Sequence, residues 1–131
     1  MVISRTRPAV TTVLLIVESE VLVRTAVADY LRECGYTVLE ATNSKEAVTL
    51  LLASPEIRVV MVDVGAPDVL DGFVLVQWIR RERPDTKIVM TAGIVRTAQT
   101  AGDLCASGPL LRKPYHHHEL ERHIRQLLAD R

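Results

Sequence analysis

The sequence predicts an α/β domain, an open five-stranded parallel sheet wound on both faces by helices. Three observations predict it. Five short apolar, β-branched segments recur along the chain, and segments of helical spacing separate them. The most apolar of the five, around Val59 to Val62, is continuous rather than alternating, as a central strand covered on both faces must be.

Residues 1–11 read as a loose tail ahead of a single domain over 12–131. Strands are expected at Val13–Val17, Thr37–Glu40, Arg58–Val62, Lys87–Met90 and Leu110–Leu111. Between the first two, Val21–Cys34 carries Val23, Ala26, Val27, Tyr30, Leu31 and Cys34 at helical spacing, and Gly35 closes the helix as a C-terminal glycine. Asn43 or Ser44 caps a second helix with Ala47, Leu50 and Leu51 inward. A third runs from Gly72 to Arg83, burying Phe73, Val76 and Ile79, and Pro84 stops it. The stretch Ile94–Gly108 has weak periodicity and predicts a short or irregular helix, while His117 to the C-terminus turns Leu120, Ile124, Leu127 and Leu128 inward.

Composition narrows the function classes. At 131 residues the chain is one domain's worth, and its 16 basic residues balance 16 acidic ones. Sequence-independent binding to nucleic acid needs clustered Lys and Arg, whereas here they are scattered among Asp and Glu. Cys34 and Cys105 form no CxxC pair, which suggests reduced thiols rather than a disulfide scaffold or zinc site. Arg5 and Arg7 before the apolar run Ala9 to Val17 resemble a signal peptide superficially. That run ends in Glu18-Ser19-Glu20 without a small-residue cleavage site and is too short to span a bilayer, so a cytoplasmic protein without a membrane partner is expected.

Open parallel sheets place ligands at the carboxyl ends of their strands. Read there, the chain offers Glu18, Ser19 and Glu20 after the first strand, Asp63 after the third, Thr91 after the fourth and Lys113-Pro114 after the fifth. Acid, acid, hydroxyl and amine on one edge suit phosphoryl transfer to a carboxylate. Asp63 is the candidate nucleophile, since a carboxylate forms an acyl phosphate. Mg²⁺, a hard cation, would take oxygens from Glu18, Asp63 and the backbone carbonyl of Gly65, with Ser19 a doubtful fourth. Thr91 and Lys113 are the candidate donors to the phosphoryl oxygens.

From Val13 to Leu128 the chain resembles the response-regulator receiver domains of two-component signalling. That family's acidic pair, acceptor Asp, hydroxyl residue and Lys-Pro fall in order on Glu18 and Ser19, Asp63, Thr91, and Lys113-Pro114. Glu20 to Arg24, Pro67 with Asp71-Gly72-Phe73, and Lys113-Pro114-Tyr115 look like the family too. The resemblance implies a flavodoxin-like, CheY-like sheet of order 2-1-3-4-5 and no enzyme in the ordinary sense. It implies a stand-alone switch phosphorylated on Asp63 by a sensor histidine kinase or phosphotransfer protein, acting through a further protein target.

Three departures stand out. Ser19 replaces the family's second acid, which weakens the expected Mg²⁺ site, although Glu18 is one methylene longer than Asp. The loop from Pro67 to Gly72 is one residue longer than is usual in the family, which resembles a subgroup of bacterial receivers with a short or degenerate fourth helix. Leu110 takes the place of the aromatic switch residue, so the usual relay from Thr91 has no ring to move. An alternative is therefore a pseudo-receiver, an interaction module that takes no phosphoryl group. His116, His117 and His118 project in different directions on a helix and lack a companion carboxylate cluster, which argues against a metal site. Val74 and Trp78 face outward if Phe73 and Ile79 face in, offering a partner or homodimer surface; partial burial under a loop is the other reading.

Overall fold

The computed structural model describes residues 11–64, 69–92 and 110–130. In chain order the elements are β1 (Val13–Val17), α1 (Val21–Glu33), β2 (Thr37–Ala41), α2 (Ser44–Ala53) and β3 (Ile57–Asp63). They continue with α3 (Val69–Glu82), β4 (Lys87–Ala92), β5 (Leu110–Arg112) and α4 (His117–Ala129). The strands form one sheet of order β2-β1-β3-β4-β5, with every neighbouring pair parallel. Each expected strand is present, and the expected order is the one observed.

Alternation along the strands divides the core in two. Leu15, Val17, Val60, Val62, Ile88 and Met90 meet Ala47 and Leu51 of α2 and Leu75, Val76 and Ile79 of α3. On the other face Leu14, Ile16, Val59, Met61 and Val89 meet Val27, Ala28 and Leu31 of α1 and Leu120 and Ile124 of α4. Burial of a Leu or Ile side chain is worth about 1.5–3 kcal/mol, so these two layers supply the main driving force for closing helices over the sheet.

Local signals fix the helix ends. Asn43 is the N-cap of α2, its side chain accepting from the Glu46 amide at 2.9 Å. Gly35 adopts φ +104° just past α1, and the amides of Gly35 and Tyr36 close back on the carbonyls of Arg32 and Leu31. Tyr36 then donates its hydroxyl to Glu121 Oε2 at 2.8 Å, tying α4 to the start of β2.

Some expectations shift. Helix α3 begins at Val69 rather than Gly72, with Asp71 as the acid of its first turn. The buried stripe of α1 is Val27, Ala28 and Leu31, whereas Ala26 and Cys34 are exposed. Helical spacing defines a face but not how that face is rotated against the sheet. Trp78 corrects the expected outward pair: it is half-buried against the α2 and α3 core, leaving only Val74 exposed, at 54 %. Phe73 is half-buried, and Leu75 takes the inward position beside Val76. The expected helix at Ile94–Gly108, Gly65, Pro67, Cys105, the side chain of Leu110 and the tail up to residue 10 lie outside the described residues.

Candidate functional site at the carboxyl edge of the sheet

Parallel strands bring all their carboxyl ends to one edge. Glu18 follows β1, Asp63 closes β3, Thr91 stands near the end of β4 and Lys113 follows β5. The β3–β4 register sets Asp63 directly opposite Thr91, so the two side chains leave the sheet on the same face. Backbone bonds extend the ladder beyond the strands: Val64 donates to the Thr91 carbonyl at 2.8 Å, and Lys113 to the Ala92 carbonyl at 2.7 Å. Four of the expected side chains are thereby anchored on adjacent strands.

Lys113 joins the two acids. Its Nζ donates to Glu18 Oε1 at 2.7 Å and lies 3.4 Å from Asp63 Oδ2. Glu18 is 1 % exposed, and a buried carboxylate is costly unless it is both paired and hydrogen-bonded. Both conditions are met, because Oε2 also accepts from the Glu20 amide at 3.1 Å. The backbone of Glu18 is pinned too, its amide donating to the Ala41 carbonyl at 3.0 Å and its carbonyl accepting from Arg24 Nη1 at 3.0 Å.

The electrostatics follow from this pairing. Burial opposes the charge on Lys113, yet the hydrogen bond to Glu18 and the neighbouring charges of Asp63 and Glu18 outweigh it, and its pKa rises. The Tyr115 hydroxyl is pushed up to about 12, first by burial and then by the negative charges of Glu18 and Asp63. Lys113 therefore stays an ammonium and Tyr115 a neutral phenol near neutral pH. The hydroxyls of Thr91 and Tyr115 are buried without a hydrogen-bond partner among the described residues. Two donors are thus present at an edge that carries two carboxylates and one amine.

Gly72 holds the end of β3 from outside. A Cβ there would stand 2.7 Å from the Asp63 carbonyl oxygen and 3.0 Å from Val64 Cα. The first turn of α3 therefore touches the backbone beside Asp63, and only glycine permits that approach.

Two carboxylates at one edge are hard donors and fit a Mg²⁺ ion that keeps several of its waters. Ser19 is exposed and carries no charge, so this donor set has one acid fewer than the family's. Among the described residues no group of three or more His, Cys, Asp or Glu is arranged to hold a metal, and His116 and His118 instead stack with centroids 5.4 Å apart.

An apolar groove beside the site is a feature that the sequence reading missed. Leu22, Val23, Ala26 and Val27 of α1 and Lys113, Pro114, Tyr115 and His117 line a space of about 490 Å³. Leu22 is 86 % exposed. The available signal was the run Val21-Leu22-Val23, since three successive apolar residues on a helix cannot all face the core.

The chain is similar to several known proteins. The probable transcriptional regulator ycf27 of Cyanophora paradoxa is 35 % identical over 117 residues, covering 88 % of this chain and 47 % of the relative. The sensor kinase CckA of Brucella abortus is 32 % identical over 117 residues, covering 87 % of this chain and 12 % of the relative. The chain thus spans about half or less of these relatives' lengths. A response regulator from Thermotoga maritima has the same fold, with a TM-score of 0.78 at 24 % identity over 92 % of this chain and 100 % of that one. The CheY-like receiver domain protein of Methanospirillum hungatei also has a TM-score of 0.78, at 22 % identity over 92 % of this chain and 96 % of that one. The family model for the response regulator receiver domain matches residues 14–125, and the chain belongs to that family.

Proposed function

We propose that this domain is a phosphoacceptor switch in which Asp63 takes a phosphoryl group from a sensor histidine kinase or phosphotransfer protein. The observation that carries the reading is the Lys113 ammonium shared between Glu18 and Asp63, with the buried Thr91 hydroxyl opposite Asp63. In the transfer, an Asp63 carboxylate oxygen forms a bond to phosphorus as the phosphorus–donor bond breaks, and the donor leaves with the electron pair. Lys113 and Thr91 supply a positive charge and a hydroxyl donor to the phosphoryl oxygens, at an edge where Glu18 holds the amine in place. Glu18, Asp63 and the Gly65 carbonyl would hold Mg²⁺, whose chemistry is to neutralise phosphoryl charge. The groove along α1, with Leu22 at its rim, suits docking of the donor protein close to Asp63.

The phosphorylated domain then changes its contacts with a downstream protein or a second copy of itself, in the cytoplasm. No helix among the described residues is long and apolar enough to cross a membrane. The domain transmits a signal and does not turn over a small molecule.

Ser19 favours one second reading, a pseudo-receiver that binds partners without being phosphorylated. Intact-mass spectrometry after incubation with a small acyl phosphate, with and without Mg²⁺, separates the two. A Mg²⁺-dependent phosphoryl adduct that disappears in Asp63→Asn supports the switch. The absence of an adduct with both the small donor and a phosphorylated histidine-containing protein, in folded material, supports the pseudo-receiver.

A further inference from the structure

Helix α2 is capped by Asn43 and does not use the Ser44 side chain for this. Asn43 accepts from the Glu46 amide at 2.9 Å, and Glu46 Oε1 reaches back to the Thr42 amide at 2.7 Å and the Thr42 hydroxyl at 2.8 Å. Ser44, the first residue of the helix, is turned to another task. Its Oγ lies 2.7 Å from Asp71 Oδ2 and 2.9 Å from the Asp71 carbonyl, and its amide donates to the same Oδ2 at 3.3 Å. One residue therefore presents both of its donors to a carboxylate 27 positions away.

Asp71 immediately precedes Gly72, which lies so near the Asp63 carbonyl and Val64 Cα that a Cβ on it would stand 2.7 and 3.0 Å from them. Both partners of the Ser44 contact lie in the first turns of helices that start at the carboxyl edge. We infer that Ser44 and Asp71 are positioning residues for Asp63: they lock the start of α3 onto α2, and Gly72 transmits that lock to the backbone that carries the phosphoacceptor. The contact joins two half-buried residues, and loss of the Ser44 hydroxyl removes two of its three hydrogen bonds. This inference rests on the proposal that Asp63 is the acceptor.

The test compares Ser44→Ala, Ser44→Thr and the unaltered chain. Each is measured for the rate of adduct formation with a small acyl phosphate, for its thermal midpoint, and for the ¹H–¹⁵N amide signals of Asp63, Val64 and Gly72. A misplacement of about 1 Å at a reacting group can cost about a hundredfold in rate, and the smaller displacement transmitted through Asp71 and Gly72 is expected to cost about tenfold. Ser44→Ala is expected to slow phosphorylation by that amount and to shift the three amide signals, and Ser44→Thr, which keeps a hydroxyl, to restore both. A rate and amide signals in Ser44→Ala that match the unaltered chain overturn the inference, as does failure of the threonine variant to restore them while folded. If the unaltered chain takes a phosphoryl group neither from the acyl phosphate nor from a phosphorylated histidine-containing protein, the proposed function fails, and the amide signals alone decide the positioning role.

Discussion

Replacing Gly72 with alanine sets two effects of opposite sign against each other. Alanine is the better helix former by about 1 kcal/mol, so propensity alone would make the variant more stable. Against this, the new methyl carbon would stand 2.7 Å from the Asp63 carbonyl oxygen, 3.0 Å from Val64 Cα and 3.1 Å from Val64 Cγ1. The first two are backbone atoms at the end of a central strand, where Val64 is fully buried and its amide is bonded to the Thr91 carbonyl at 2.8 Å. They cannot yield as the tip of a flexible side chain would. Overpacking of this kind costs about 1–3 kcal/mol, more than the propensity gain at a first-turn position. The expected net loss is centred on about 1 kcal/mol, which lowers the thermal midpoint by about 4 °C in a domain of this size. Urea unfolding at an unchanged m-value gives the same quantity independently. A midpoint equal to or above that of the unaltered chain would refute the close-approach argument, because propensity would then have won.

Two further outcomes are expected. Glu121 is nearly buried, accepts from Tyr36 at 2.8 Å, and pairs with Arg125, whose hydrogen bond leads in holding its carboxyl below the ordinary 4.5, against burial and with help from Tyr36. A depressed folded pKa gives stability that is present above the unfolded value and lost as pH falls through the folded one. Glu121→Gln should therefore be less stable than the unaltered chain by on the order of 1 kcal/mol at pH 7, and denaturant midpoints of the two should converge below about pH 4.5. A constant difference down to pH 3 would sink this account. Leu22→Glu, at a position 86 % exposed, should change stability by less than about 0.5 kcal/mol. It should leave phosphorylation by a small donor intact and slow transfer from a histidine-phosphorylated protein by about tenfold, and equal protein-to-protein rates would remove α1 from the docking surface.

Much of the architecture was legible because it depends on local pattern. A buried strand must be apolar at every position, and Val59 to Val62 satisfies this; a parallel sheet must gather its strand ends, and that rule alone selected Glu18, Asp63, Thr91 and Lys113. What escaped depends on distance in space rather than along the chain. The period of α1 put Ala26 and Cys34 on the expected inner face, but a small rotation of the helix buries Ala28 instead. Phe73 and Ile79 as inward anchors turn Trp78 outward, whereas Leu75, Val76 and Ile79 carry the buried face and leave both Phe73 and Trp78 half-buried. The Ser44–Asp71 contact and the closeness of Gly72 to Asp63 leave no mark in the sequence beyond ordinary capping and turn residues.

The pairing of Lys113 with Glu18 joins residues 95 positions apart, and in the sheet it crosses from the edge strand β5 over β4 and β3 to β1. Its consequence concerns the order of assembly. The carboxylate of Glu18 is set in the first strand to be made, yet its cation arrives with the last. A chain that packs β1, β3 and β4 before β5 docks leaves that acid without its cation, which is costly in a closing core. The three residues of the edge strand thereby bring a charge partner to the sheet together with the buried Leu111. Completion of the fold and completion of the acidic site are a single event, so a chain that has failed to seat its final strand also lacks the amine on which its chemistry depends.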